Sequence, residues 1–316
     1  MRLAADGKLA LARFTGVNVN EWLKTPIDIT LDADGQAVFT LNGGVIDFRN
    51  SRFGETTNAA GKGNRISARL DRLIVSDSIA LTGVEGELVI QGGLTGSFSG
   101  RVNGNARIVG VLAPHAKGTA VRFTSTDAGA VMTSAGLFDN AIGGRLDMIL
   151  VPTGEKGQFD GTLKVDNARI RNSTTLASIL SAISVVGLLE QLGGEGILFN
   201  DTDAKFRLSP AGVVLNESSA VGASLGLTME GVYNFNSATM DMQGVITPIY
   251  ILNGILEQTK IFGGLFGKQK GEGLFGFNYS LRGKVDDPKV GVNPLSILTP
   301  GLFRDIFRRP MPKAPK

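Results

Sequence analysis

The residues that could do chemistry are few. His115 is the only imidazole in the 316-residue chain, and there is no cysteine. It has no second histidine to share a metal and no nearby carboxylate in sequence to make it a base. Asp286-Asp287 is an adjacent carboxylate pair, but Pro288 follows it, and Asp-Asp-Pro after an alternating segment reads as a turn. Ser173-Thr174-Thr175 stands before an apolar run, where a hydroxyl caps a helix more readily than it attacks a substrate. Gly193, Gly194 and Gly196 have no Gly-Lys-Ser/Thr after them and no βαβ alternation around them, so they make no phosphate loop. The absence of cysteine excludes a disulfide framework and thiolate metal sites. These residue types predict no catalytic constellation, no metal site and no cofactor.

Charge narrows the partners. The net charge is +3, but residues 301–316 alone carry +4, from Arg304, Arg308, Arg309, Lys313 and Lys316 against Asp305. The remaining 300 residues sum to −1. Nucleic-acid binding needs a basic stripe with aromatic platforms, and no such pattern occurs.

The elements that would position any site are strands. Glycine numbers 43, about twice average usage, in a chain rich in Val, Ile, Leu and Thr. Short alternating segments recur at roughly ten-residue spacing, as in an all-β chain. Ile27, Ile29 and Leu31 alternate up to the turn Asp32-Ala33-Asp34-Gly35, and Ala37, Phe39 and Leu41 return to a second expected turn at Asn42-Gly43-Gly44. Strands are expected at 45–48, 66–75, 79–82, 86–90, 94–102, 106–112, 121–125, 131–134, 144–151 and 157–165, with a loop over 53–63. A loose repetition, Phe98-Ser99-Gly100-Arg101-Val102 and Gly161-Thr162-Leu163-Lys164-Val165, suggests an extending meander. Asn18 to Leu23 is expected to form a short helix.

Helical spacing replaces the two-residue period at two places. Ser173–Leu192 reads as one amphipathic helix, with Ser173 or Thr174 as its cap and Gly193-Gly194 as its stop. Pro248–Phe262 reads as a second helix. Between and after them the β pattern is strict. Leu225, Leu227, Met229 and Tyr233 alternate with polar residues, as do Met240, Met242 and Ile246, and then Phe275, Phe277, Tyr279 and Leu281. This predicts one apolar face. At the C-terminus Leu302, Phe303, Ile306 and Phe307 form a stripe followed by Arg308 and Arg309, expected to meet a membrane surface or an envelope protein.

Residues 271–307 resemble the C-terminal signature of the AsmA-like family of bacterial envelope proteins. The matching pieces are Gly271-Glu272-Gly273-Leu274-Phe275, the Tyr-x-Leu-x-Gly strand from Tyr279 to Gly283, Asp286-Asp287-Pro288, Asn293-Pro294-Leu295-Ser296 and Thr299-Pro300-Gly301-Leu302-Phe303-Arg304. The stretch from Gly194 to Asn253 is similar as well. The resemblance implies a periplasmic protein of Gram-negative bacteria, anchored in the inner membrane, that forms a β-groove and moves phospholipid toward the outer membrane. Met1 to Gly7 has no apolar run, so the anchor would lie upstream.

The expectation is therefore a mainly β protein: an extended, curved antiparallel sheet forming an apolar groove, with two or three amphipathic helices. A repeating β-groove segment would span 1–172 and an AsmA-like C-terminal segment 173–316. The expected function is non-enzymatic, a periplasmic groove for phospholipid acyl chains that supports outer-membrane integrity. The alternative is a scaffold or assembly factor for outer-membrane proteins, acting by strand addition at a sheet edge. A carbohydrate-binding domain would need aromatic platforms, and one Trp with three Tyr argues against it.

Overall fold

A computed structural model describes residues 2–3, 9–20, 22–49, 63–91, 93–249, 276–293, 311–312 and 314–315. The protein is mainly β. Twenty strands and three helices are found among the described residues: β1 (Arg2–Leu3), β2 (Leu9–Val19), β3 (Leu23–Leu31), β4 (Ala37–Asn42), β5 (Val45–Asp47), β6 (Asn64–Ile74), β7 (Ala80–Ile90), β8 (Leu94–Val102), β9 (Ala106–His115), β10 (Gly118–Ser125), α1 (Ala128–Ser134), β11 (Ala141–Ile142), β12 (Arg145–Pro152), β13 (Phe159–Ile170), α2 (Thr174–Ala182), α3 (Val186–Gly193), β14 (Ile197–Ser209), β15 (Gly212–Val221), β16 (Leu225–Thr228), β17 (Glu230–Asn234), β18 (Thr239–Pro248), β19 (Phe277–Lys284) and β20 (Lys289–Asn293). The chain divides into two compact units, Met1–Asp139 with Asp147–Gln158, and Asn140–Leu146 with Phe159–Lys316. That division falls ahead of the helical break at residue 173, because β13 already belongs with the strands that follow it.

In the first unit the strands form a meander. β2 pairs with β3, β3 with β4, β6 with β7, and so on through β9 and β10, all antiparallel. The hairpin at Asp32 forms as its residues predict. The Asp32 carboxylate accepts from the amides of Asp34 (3.0 Å) and Gln36 (2.9 Å), and Gly35 takes φ +75°.

The expected turn at Asn42-Gly43-Gly44 is not a hairpin. β4 and β5 both lie between β3 and β6, and both run parallel to β6. Gly43 and Gly44 form a kink within one interrupted strand. Thr25 Oγ1 donates to the Gly43 carbonyl (2.6 Å), and the Gly44 amide donates to the Asp71 carboxylate (2.7 Å). With φ +84° and the backbone of Thr25 pressed against it, Gly44 has no room for a side chain.

Other local expectations are corrected. The stretch 18–23 is no helix: β2 runs to Val19, Asn20 takes φ +43°, and the Trp22 amide closes a tight turn on the Val19 carbonyl (3.0 Å). The strand expected at 131–134 is helix α1. Asp127 caps it by accepting from the Ala130 amide (2.9 Å), so a local cap overrides the β-branched Val131. The segments 79–82 and 86–90 are one strand, β7, shifted by a bulge near Gly83.

In the second unit the order of pairing is β13, β14, β15, then β16 and β17 together, β18, β19 and β20, all antiparallel. The segment 173–192 is two helices rather than one. Ser173 caps α2 by accepting from the Leu176 amide (3.3 Å), as its type predicts, but Ser184 takes φ +58° and breaks the run before α3. Of the helix expected at 248–262, Pro248 closes β18, the Ile249 amide donates to the Ser224 carbonyl (3.0 Å), and residues 250–262 lie outside the described residues. The loop at 53–62 also lies outside them.

Candidate functional site

The register of the first unit builds two continuous apolar rows across eight strands. One runs Ala12, Ile29, Phe39, Ile66, Leu88, Gly96, Leu112, Val121. The other runs Phe14, Ile27, Leu41, Ala68, Gly86, Phe98, Gly110, Phe123. Each pair is a direct cross-strand neighbour, so the rows lie side by side on one face. Most of these residues are only half-buried, and Phe14 at the edge strand is 48% exposed. Beyond them Leu70, Val84 and Ile108 are buried, and α1 packs against β9.

The opposite face of the same strands is polar. Its matching row is Arg13, Asp28, Thr40, Ser67, Glu87, Ser97, Val111, Arg122. Arg13 Nε donates to Asp28 (2.9 Å) and Arg122 Nε to Asp147 (2.9 Å). The hydrogen bond from Arg13 holds the Asp28 carboxyl below its ordinary range. Exposed pairs of this kind add little stability, but they fix which face meets water. A shallow open depression of about 620 Å³ lies here, over Ser97 and Ser99 between Glu87 and Val111.

The second unit repeats the two-faced design. Arg207 pairs with Asp160 (2.8 Å), Lys205 with Glu217 (2.5 Å) and Arg282 with Asp241 (3.3 Å) across its polar face. The structure brings the predicted lining residues Leu225, Leu227, Met229, Tyr233, Met240, Met242, Ile246, Phe277, Tyr279 and Leu281 into one apolar cluster on the other face. That face is not open. Leu176, Ile179 and Leu180 of α2, Val185 at the cap of α3, and Leu188 and Leu192 of α3 belong to the same cluster, and Leu180, Leu225 and Ile246 are fully buried. Inside it, Tyr279 Oη donates to the Thr228 carbonyl (2.8 Å), and burial pushes that hydroxyl well above its ordinary pKa. Phe275 and the predicted contact residues Leu302, Phe303, Ile306, Phe307, Arg308 and Arg309 lie outside the described residues.

The sequence places a β-groove segment over 1–172 but names none of the residues of the open apolar face in the first unit. Its strands were visible as alternation, but the rows exist only through register. The chemistry-bearing residues serve turns and caps. His115 Nδ1 accepts from the Lys117 amide (3.2 Å) at the β9–β10 turn. Asp286 and Asp287 sit exposed in the β19–β20 turn. The Gly194 amide donates to the Glu190 carbonyl at the end of α3. Among the described residues no group of three or more His, Asp or Glu is placed to hold a metal, and no helix is long and apolar enough to cross a membrane. Comparison with protein-family models, with curated proteins and with solved structures returned no match to this chain.

Proposed function

We propose that this chain is part of a non-enzymatic lipid carrier of the AsmA-like type, and that the open apolar face of the first unit receives phospholipid acyl chains. The observation that carries this reading is the pair of unbroken rows from Ala12 to Val121 and from Phe14 to Phe123. At about 4.8 Å per strand, eight strands give a row on the order of 35 Å. One leaflet of a bilayer offers acyl chains roughly 15 Å deep. The face is therefore longer than one lipid and works as a path rather than a pocket. Each CH₂ moved from water onto it gains about 0.8 kcal/mol wherever it sits, so sliding meets no large barrier while the head group stays in water.

The periplasm, an upstream inner-membrane anchor and a C-terminal contact with a membrane or envelope protein belong to this proposal through the resemblance at 271–307. The experiment is mass spectrometry of lipid extracted from the detergent-free protein. Co-purified phospholipid that is lost on Leu88→Asp and Leu112→Asp supports the reading; protein that carries no lipid and takes none from vesicles overturns it. A second reading, strand addition to an outer-membrane protein, rests on the outer edge of β2 from Ala12 to Val19, which pairs with no strand among the described residues. Bound peptide strands in place of lipid would favour it.

A further inference from the structure

In the second unit α2 and α3 cover the kind of face that stands open in the first. They do so through aliphatic side chains, Leu176, Ile179, Leu180, Leu188 and Leu192, set against Leu225, Ile246 and Phe277. Their outer sides carry Ser178, Ser181 and Glu190 in water. The backbone passes through left-handed conformations at the entry, the middle and the exit of the pair: Asn172 (φ +55°), Ser184 (φ +58°) and Gly196 (φ +87°). Helices of nine and eight residues do not persist alone in water. They stay helical only while something apolar covers their inner stripe.

This sets a condition on any opening. If the pair lifts into water, two apolar surfaces are exposed at once, its own and that of the sheet. If lipid is present, acyl chains cover the sheet and a bilayer surface covers the amphipathic pair. We propose that α2–α3 is a displaceable cover, hinged at Asn172, Ser184 and Gly196, that occupies the place of acyl chains and gives way to them. This rests on the proposed lipid-carrying role and adds to it that the apolar face of the second unit is closed until lipid arrives.

The test uses two exposed positions within the second unit, Val186 on α3 and Ser237 in the β17–β18 turn. The chain has no cysteine, so Val186→Cys with Ser237→Cys takes two spin labels and no others. Pulsed electron resonance distances are measured with and without vesicles of phosphatidylethanolamine and phosphatidylglycerol, and bound lipid is counted on the same samples. The expected result is one distance without vesicles and a second population, longer by about 10 Å (one helix layer), with them. Lipid bound with an unchanged single distance overturns the cover and leaves the carrier intact. An unchanged distance with no lipid bound overturns both.

Discussion

The ring of Phe98 on β8 lies across Gly110, its direct partner on β9, so that a Cβ on Gly110 would collide with the ring. The pairing recurs in the second unit, where the ring of Phe206 lies across its partner Gly161, and Met242 and Tyr279 approach Gly231 and Gly244. A glycine in a strand weakens it, and a large cross-strand side chain laid over the gap restores the packing. This accounts for a chain so rich in glycine being nonetheless mostly strand. Gly110→Ala should cost about 1–3 kcal/mol by overpacking. Phe98→Ala in the same chain should recover part of that loss. Urea unfolding of the two single variants and the double variant measures the coupling; additive losses would show that the ring and the glycine are independent.

The kink at Gly43-Gly44 depends on one carboxylate. Asp71 accepts the Gly44 amide, and the Asp71 amide returns a bond to the Gly44 carbonyl (3.0 Å). Asp71→Ala hands that exposed amide to water and should cost about 0.5–1.5 kcal/mol. Gly44→Ala should cost more, since φ +84° strains any side chain and a Cβ would stand 2.7 Å from Thr25 Cα. Asp71→Asn keeps an acceptor oxygen and should lie nearest the parent. Thermal unfolding of the three variants checks the order.

Tyr279 makes stability depend on alkaline pH. Its hydroxyl is buried against the Thr228 carbonyl, so folding favours the neutral phenol and raises its pKa. The unfolded chain ionises near pH 10. The stabilisation is therefore complete below about pH 10 and is lost as pH rises from there toward the folded value. Tyr279→Phe should lose about 1 kcal/mol at neutral pH with the hydrogen bond. It should also flatten the fall in stability above pH 10, as read by denaturant midpoints between pH 8 and pH 11.

What was legible in the sequence was whatever a single strand carries. Met240, Met242 and Ile246 alternate, and they share a face; Leu94–Val102 is the strand its sequence marks out, because Gly93 and Asn103 frame it. Ser173 was readable as a cap because its hydroxyl acts three residues away. What needs a partner strand was not legible. Gly43-Gly44 looks like a hairpin until β6 is seen beside both β4 and β5. The apolar rows of the first unit follow from register, and no local spacing separates Leu88 or Leu112 from an ordinary core leucine. Nor could alternation distinguish a face left open from one covered by α2 and α3, since Leu225 and Ile29 obey the same two-residue period.

That last difference sets the sharpest prediction. Leu112 is half-buried on the open rows, whereas Ile246 is fully buried beneath the helices. A carboxylate among acyl chains costs about 2.5–3.5 kcal/mol, roughly a hundredfold in occupancy of that point. On an open face the same carboxylate keeps its water when no lipid is bound, so Leu112→Asp should lose lipid with a nearly unchanged melting temperature. Ile246→Asp places an unpaired charge in a closed core and should abolish cooperative folding of the second unit. Leu281→Asp, on the same covered cluster, should behave like Ile246→Asp. Val111→Asp, exposed on the polar face of the first unit between Ser97 and Arg122, should leave bound lipid unchanged and the melting temperature nearly so, and serves as the control. The measurement is bound phospholipid by mass spectrometry beside thermal unfolding for each variant. If Leu112→Asp unfolds the protein as Ile246→Asp does, the face of the first unit is a core and carries no lipid path.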